Sequence, residues 1–332
     1  MRIAINGFGR IGRNLFRILH QASESIEVVA INDLMTPEQM RYLLQYDTIL
    51  GRFPENISVD DNILVTSKGQ SKIFHEKNIT DLPWKDLGID IVVESTGVFG
   101  KREQLEQHIT AGASRVLLTV PAKDAIDATI VMGVNDTELQ KEHKIISNAS
   151  CTTNCLAPIA KIIHQNFGIQ QAFMTTTHAY TNDQRVIDMV HSDPRRGRAA
   201  AQNIIPTTTG AAAAVGKIIP ELNGKIDGIA LRVPVVNGSI VDLTVTVEKD
   251  VTAEQINQAV KKAAQTDMAN IVEYCEDPIV SSDVLQNPHS SIFDSIATKT
   301  LGSKMVKILS WYDNEWGYSN RLKDLIVRLS SF

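Results

Sequence analysis

Cysteine is scarce in this chain of 332 residues: only Cys151, Cys155 and Cys275 are present. An odd count of three does not make a disulfide framework, and it suits a reducing compartment, so the expected location is the cytoplasm. Cys151 and Cys155 are four residues apart, but no histidine or further cysteine nearby completes a zinc set, and no metal is expected. Long apolar runs are also missing. None approaches the roughly 20 residues that a membrane span requires, and Met1 leads directly into a strand-like segment rather than a signal peptide. There is no basic excess either. Lys and Arg number 33 against 38 Asp and Glu, a formal net charge of −5, which argues against a dedicated nucleic-acid binder. With 43% hydrophobic and 21% charged residues, the chain has the make-up of a globular protein long enough for two domains.

Two motifs stand out. The first is Gly7-Phe8-Gly9-Arg10-Ile11-Gly12. It follows the apolar segment Arg2–Asn6 and opens Arg10–Gln21, where Ile11, Leu15, Ile18 and Leu19 recur at helical spacing. A Val/Ile-rich run, Glu27–Asn32, comes next and ends at Asp33. Strand, glycine turn, helix, strand and acid form the dinucleotide-binding pattern. Gly7 permits the tight turn, Gly9 lets the backbone approach a pyrophosphate, and the helix N-terminus offers free N–H groups and positive dipole. Asp33 would accept hydrogen bonds from ribose hydroxyls and repel a 2′-phosphate, which favours NAD over NADP; otherwise it would cap the following turn.

Further strand candidates are Ile63–Thr66, Ser71–His75, Asp90–Glu94, Arg115–Val120, Thr129–Val134 and Lys144–Ser147, with a helix expected at Arg102–Ala111. Short β-branched runs alternating with helices predict an α/β, Rossmann-type doubly wound parallel sheet. The character then changes. Cys151–Phe167 reads as a helix, Gln171–Thr177 as a strand and Thr181–Ile205 as a long polar loop. Lys225–Pro234, Ser239–Glu248 and Met305–Trp311 read as longer strands, Ala253–Ala264 as a helix capped by Thr252, and Asn314–Leu329 as a last helix. This is the pattern of an α+β domain with a mainly antiparallel sheet. Loops as long as Thr181–Ile205 are usually functional or buried at interfaces.

The second motif is Ser150-Cys151-Thr152-Thr153-Asn154-Cys155. Cys151 opens the predicted helix, where the dipole favours a thiolate and a free backbone N–H can help bind an oxyanion. Cys155, one turn on, reads as packing, and Cys275 as structural. A nucleophile needs a base. Of eight histidines, His178 is the candidate, because it ends a strand and begins the long loop. Arg232 lies inside an apolar strand, and a charge there needs a partner: a substrate phosphate or a neighbouring carboxylate would each serve. Arg195, Arg196 and Arg198 form a second basic group, for phosphate or for intersubunit ion pairs. Pro206–Ala211, with Thr207, Thr208, Thr209 and Gly210 before another helix, is a usable anion nest.

These residues resemble the phosphorylating glyceraldehyde-3-phosphate dehydrogenases over essentially the whole chain, through Ala4–Gly12, Ser147–Pro158, His178–Arg185, Ile205–Ala212 and Trp311–Asn320. The resemblance implies that Cys151 is the nucleophile and His178 its base. It implies that Thr181, Asp183 and Arg232 hold the substrate's phosphate, with Arg196 nearby, and that Ser150, Thr152, Thr209 and Gly210 bind the attacking inorganic phosphate. Gly7, Phe8, Gly9, Arg10, Ile11, Gly12, Asp33, Lys77, Thr96, Thr119, Asn314 and Tyr318 would meet NAD. It also implies a homotetramer, and a discontinuous NAD-binding domain, 1–149 plus 315–332, around a catalytic domain, 150–314. The nearest rival, erythrose-4-phosphate dehydrogenase, typically departs after the catalytic histidine, whereas His178-Ala179-Tyr180-Thr181-Asn182-Asp183 keeps the three-carbon form. Met189-Val190 stands where NAD-specific members commonly have Leu-Pro, which leaves an NADP-preferring form as an alternative. Ser192, Pro194, Gly197, Ala213 and Val235-Val236-Asn237-Gly238 also depart from the common pattern. A non-catalytic redox-sensing or RNA-binding relative is the remaining alternative, against which the intact Cys151, His178, Thr181 and Arg232 argue.

Overall fold

The computed structural model describes residues 1–332 and divides into two compact units. The first comprises Met1–Ile130, Thr137–Ser150 and Ser319–Phe332. Its nine-stranded sheet runs in the order 128–129, 145–147, 115–118, 91–94, 2–6, 27–32, 69–74, 63–66, 58–60. All pairings from 128–129 to 69–74 are parallel, and the last two are antiparallel. The central strands are continuous apolar runs because both faces are covered: Ile3, Ala4, Ile5, Ile91, Val92 and Val93 are all fully buried. Strand 2–6 sits between 27–32 and 91–94, with Asn6 in register with both Asn32 and Glu94. The glycine turn and the carboxyl ends of these strands therefore meet at the carboxyl end of the sheet's centre, the position where open α/β sheets bind ligands.

The second unit comprises Val131–Asp136 and Cys151–Tyr318. Its seven-stranded sheet has the order 205–208, 226–233, 169–179, 239–247, 305–312, 291–301, 272–275 and is mainly antiparallel; only 169–179 with 226–233 and 272–275 with 291–301 are parallel. Strand 239–247 alternates strictly between buried and half-buried residues, which is the pattern of a sheet covered on one face. Helices Cys151–Phe167, Ala211–Ile218 and Ala253–Ala264 pack on it. The opposite face leaves Phe173 71% and Ile229 52% exposed.

Several helix bounds agree with the periodicity, including Arg10–Gln21, Cys151–Phe167 and Ala253–Ala264, the last with the Thr252 hydroxyl accepting from the Gln255 N–H. Three segments differ. Thr129–Val134 is strand only at Ala128–Thr129. The chain then turns at Gly133, with φ of +80°, and Val131 N–H donates to the Asn135 side chain. Residues 131–136, and likewise 315–318, pack with the second unit. A helix at Pro37–Gln45 escaped the periodicity, although Thr36 caps it with a full capping box and Pro37 opens it. The eleven-residue strand Ser291–Leu301 was also unread. Its first five residues are all buried, so alternation is absent where it would have been looked for.

Candidate active site

The His178–Arg232 juxtaposition comes from register. Strands 169–179 and 226–233 are parallel neighbours, and His178 pairs with Arg232. Both side chains thus emerge on one face at the strand ends. The Arg232 guanidinium lies 2.6 Å from His178 Nδ1 and donates to the Ala179 carbonyl at 2.9 Å. On the other side of the ring, His178 Nε2 is 3.5 Å from Cys151 Sγ. The two residues singled out as nucleophile and base are therefore side by side within one unit. Tyr312, whose ring stands edge-on to His178, ties the arrangement together. Its hydroxyl bonds Thr152 Oγ1 at 2.9 Å and Thr176 Oγ1 at 2.8 Å, joining the first turn of the nucleophile's helix to the strand that carries the base. From the far side, Asn314 Oδ1 accepts from Ser239 Oγ, which accepts from Ala179 N–H. Tyr312, Thr176 and Ser239 were given no role by the sequence; only the fold reveals them.

Electrostatics modify the sequence expectation. Burial pushes the Cys151 thiol up, opposed by the Arg232 charge and by hydrogen bonds from Thr152. The favourable helix position alone thus does not yield a thiolate. Burial and then the Arg232 charge lower His178 to about 3, so the imidazole is neutral. Cys155 is pushed up to about 12 by burial and contacts Ser291 and Ser310 inside the core, which agrees with a packing role. Arg232 has no carboxylate within ion-pair distance, and burial disfavours its charge. Of the two partners that the sequence left open, a protein carboxylate is excluded.

The long segment after Thr181 has no regular structure until Ile205, as expected. It is tied by charge. Arg196 donates to Asp183 Oδ2 at 2.8 Å and to Thr207 Oγ1 at 2.9 Å, and Thr207 in turn donates to Asp193. Asp183, held low in pKa chiefly by Arg196, is thereby the partner of that arginine. Both groups lie close enough to act on the Arg232 charge. Arg198 pairs with Asp188 within the same segment. Thr181 N–H is 3.3 Å from Gln184 Oε1. Thr209 Oγ1 accepts from Ala211 N–H, and Gly210 precedes helix Ala211–Ile218 with open space around it and no side-chain cap. The Thr152 hydroxyl is committed to Tyr312. Ser150 closes the first unit, one residue after Ala149, whose φ is +55°.

In the first unit the glycine turn has the geometry that its sequence implies. Gly7 has φ of +94°, and a Cβ there would lie 2.5 Å from Thr96 N; a Cβ on Gly12 would lie 2.3 Å from Gly7 O. A Cβ on Gly9 would meet nothing within 4 Å. Gly9 faces open space at the N-terminus of helix Arg10–Gln21, which has no side-chain cap. A cavity of about 360 Å³ opens here, lined by Gly7, Gly9, Asp33, Lys77 and Thr96 among others. Asp33 serves the loop as well as facing the cavity: Oδ2 accepts from Phe8 N–H at 2.6 Å and Oδ1 from Met35 N–H. The Phe8 ring is fully buried against Phe16, leaving only its backbone for a ligand. Ile11, in the first turn of that helix, is half-buried. The Arg10 guanidinium pairs with buried Asp47. Thr119 Oγ1 donates to the Glu94 carbonyl. Asn314 and Tyr318 belong to the second unit and are nearly buried. The turn, the cavity and the uncapped helix N-terminus of the first unit fit a dinucleotide pyrophosphate.

Comparison with known families agrees with this arrangement. Residues 1–102 match the glyceraldehyde 3-phosphate dehydrogenase NAD binding domain, and residues 150–314 match the glyceraldehyde 3-phosphate dehydrogenase C-terminal domain. The chain belongs to the glyceraldehyde-3-phosphate dehydrogenase family. It is 54% identical to the glyceraldehyde-3-phosphate dehydrogenase of Thermotoga maritima over 329 residues, covering 99% of this chain and 98% of the relative. A similar likeness joins it to the Borreliella burgdorferi enzyme, at 54% over 99% of each chain. The Geobacillus stearothermophilus enzyme is 50% identical over the whole of this chain and 98% of its own. Membership makes this an oxidoreductase with a nicotinamide dinucleotide domain, and no helix is long and apolar enough to cross a membrane.

Proposed function

We propose that this chain oxidises glyceraldehyde 3-phosphate with NAD and inorganic phosphate, giving 1,3-bisphosphoglycerate. The observation that carries the reading is Arg232: a half-buried cation with no carboxylate within ion-pair distance, set against the ring of the histidine that faces Cys151. A substrate phosphate is the anion this charge needs, with Thr181 as a further ligand in this reading and the Arg196–Asp183 pair within electrostatic reach. The phosphate's negative charge offsets Arg232, which removes one of the two causes that lower His178 and so makes it a better base.

The chemistry follows. Cys151 Sγ adds to the aldehyde carbon and forms a hemithioacetal. Bound nicotinamide supplies the hydride acceptor. Once the substrate phosphate draws Arg232 from His178 Nδ1, that nitrogen keeps its proton on the Ala179 carbonyl at 2.7 Å, and Nε2 takes the hydroxyl proton as the carbon becomes a thioester, with the backbone N–H at Cys151 supporting the oxyanion. Inorganic phosphate held by Ser150, Thr152, Thr209 and Gly210 then attacks the thioester, which releases the thiolate and leaves an acyl phosphate. Because the Thr152 hydroxyl is engaged by Tyr312, Thr152 contributes there through its backbone N–H, or through its O–H where Tyr312 is the donor of their shared bond. NAD is the preferred cofactor because Asp33 places a carboxylate in the cavity where a 2′-phosphate would meet it. Arg10 and Phe8 take part through the helix N-terminus.

A homotetramer is part of the proposal. Phe173 and Ile229 on the open sheet face, and Val186, Ile187, Met189 and Val190 in the long segment, are each more than half exposed. Apolar surface on that scale suits further copies of the chain, and light scattering should give about four times 36.6 kDa. Three free cysteines suit the cytoplasm. The deciding experiment is a steady-state comparison of glyceraldehyde 3-phosphate with erythrose 4-phosphate, each with NAD and NADP, with and without phosphate. Preference for the four-carbon aldehyde would overturn the substrate, and preference for NADP the role of Asp33.

A further inference from the structure

Beneath the dinucleotide cavity lies a cluster of buried polar residues that the reaction itself does not use. Glu94 ends strand 91–94 and is 1% exposed; His108 and Trp84 are fully buried. The Glu94 carboxylate accepts four hydrogen bonds. Oε1 takes Thr96 N–H at 2.9 Å and Thr96 Oγ1–H at 2.5 Å, and Oε2 takes Asn6 Nδ2–H at 2.5 Å and His108 Nε2–H at 3.2 Å. The chain of donors has a fixed direction. Indole N–H can only donate, so His108 Nδ1 must accept from Trp84 Nε1 at 3.0 Å, and the ring's proton is placed on Nε2, facing Glu94. Asn32 Nδ2 donates to Asn6 Oδ1 at 2.7 Å, which turns the Asn6 amino group towards Glu94 as well. Thr96 N–H is backbone and cannot be reversed.

We propose that Glu94 is a positioning residue for the dinucleotide, an acceptor-only side chain on which donors from four directions converge so that the backbones of Gly7 and Thr96 are held where the cofactor must approach them. This rests on the dinucleotide reading of the cavity. The transmission is short. Thr96 is held directly by Glu94, Gly7 is so close to Thr96 that no Cβ fits between them, and Ser95 Oγ donates to Gly7 O at 2.7 Å. Asn6 immediately precedes Gly7 and is the Cα partner of Glu94. Glutamine, of the same size, cannot replace this carboxylate. If its NH₂ faces Thr96 it meets a backbone donor. If it faces Oε2's partners it meets the Asn6 amino group that Asn32 holds in place and the His108 N–H that Trp84 holds in place. Either way two donors oppose each other in a dry site, and the turn must open.

The test is a set of cofactor titrations on the full-length protein. Glu94→Gln should raise the NAD dissociation constant about tenfold, the scale of losing one hydrogen bond to a charged group. At saturating NAD its kcat, and the rate at which iodoacetamide alkylates Cys151, should stay within about twofold of the parent, a split between binding and turnover that general destabilisation does not produce. Parent-like NAD binding by Glu94→Gln would overturn the inference. Should Glu94→Gln not fold, His108→Leu removes one donor and strands the Trp84 N–H, and unchanged NAD affinity there would overturn it equally. Failure of the parent protein to bind NAD would instead defeat the functional reading on which this rests.

Discussion

Arg232→Gln tests the link between charge and substrate most directly. Glutamine keeps a donor for the Ala179 carbonyl and removes only the cation. Two unit charges about 4 Å apart interact by about 4 kcal/mol at the effective dielectric of about 20 that describes partly buried sites, and removing one partner of a desolvated charge pair costs about 2–5 kcal/mol. A net loss of about 3 kcal/mol corresponds to a fall of about 150-fold in kcat/KM for glyceraldehyde 3-phosphate. The control is glyceraldehyde without its phosphate. It has no anion to lose, so Arg232→Gln should change its kcat/KM by less than about threefold. Removing the cation also raises His178 and relieves one of the causes that keep it a poor base, so the unphosphorylated substrate could even gain slightly. Initial rates of NADH formation at 340 nm on both aldehydes give the answer. An equal loss on the two substrates would refute the reasoning, because it would show Arg232 acting on the chemistry rather than on the phosphate.

The glycine turn makes a paired prediction. Gly9→Ala meets no atom within 4 Å, so its melting temperature should match the parent's while its NAD dissociation constant rises at least about tenfold; Gly12→Ala, whose Cβ would strike Gly7 O at 2.3 Å, should lower the melting temperature as well, and calorimetry with NAD titration separates them. Alkylation of the native protein near pH 8 should give one adduct, on Cys151, because Cys155 is buried and held at about 12, and Cys275 is buried with its thiol pushed up by burial; mass spectrometry of the peptides would reveal a contradicting second adduct. The His178 pKa, lowered from 6.5 to about 3, means that the unfolded chain takes up a proton that the folded chain refuses. That stabilisation is complete above about pH 6.5 and is lost as the pH falls towards 3. His178→Asn should therefore lose melting temperature less steeply than the parent between pH 6.5 and 4, and parallel profiles would contradict it.

How much of this was legible in the sequence depends on which physical signal each residue carries. The helices at Arg10–Gln21 and Ala253–Ala264 declare themselves through apolar spacing, and the latter through its cap, because local chain geometry decides both. Cys151 and His178 were legible as chemistry, one at a helix start and one at a strand end. Their 3.5 Å approach was not, since it depends on how helix 151–167 packs on a sheet assembled from distant segments. Arg232 was legible as a problem, a cation in an apolar strand, and the structure shows why it remains one: its register partner is a histidine, not a carboxylate. Strand 291–301 was hidden because its buried first half lacks alternation. Glu94 was hidden for a different reason. Val-Val-Glu at a strand end reads like an exposed acid, and nothing local says that Asn6 and His108 converge on it, the latter held by Trp84. Long-range register creates that site, and it also sets its chemistry. Asn6 and Glu94 are partners across parallel strands, so the residue before the glycine turn and the carboxylate beneath it must be altered together. A change at either alone leaves a buried donor or acceptor without its match. The glycine turn is therefore only the visible part of this chain's dinucleotide site; the part proposed to hold it in place is spread over three strands, a helix and two loops and has no contiguous motif.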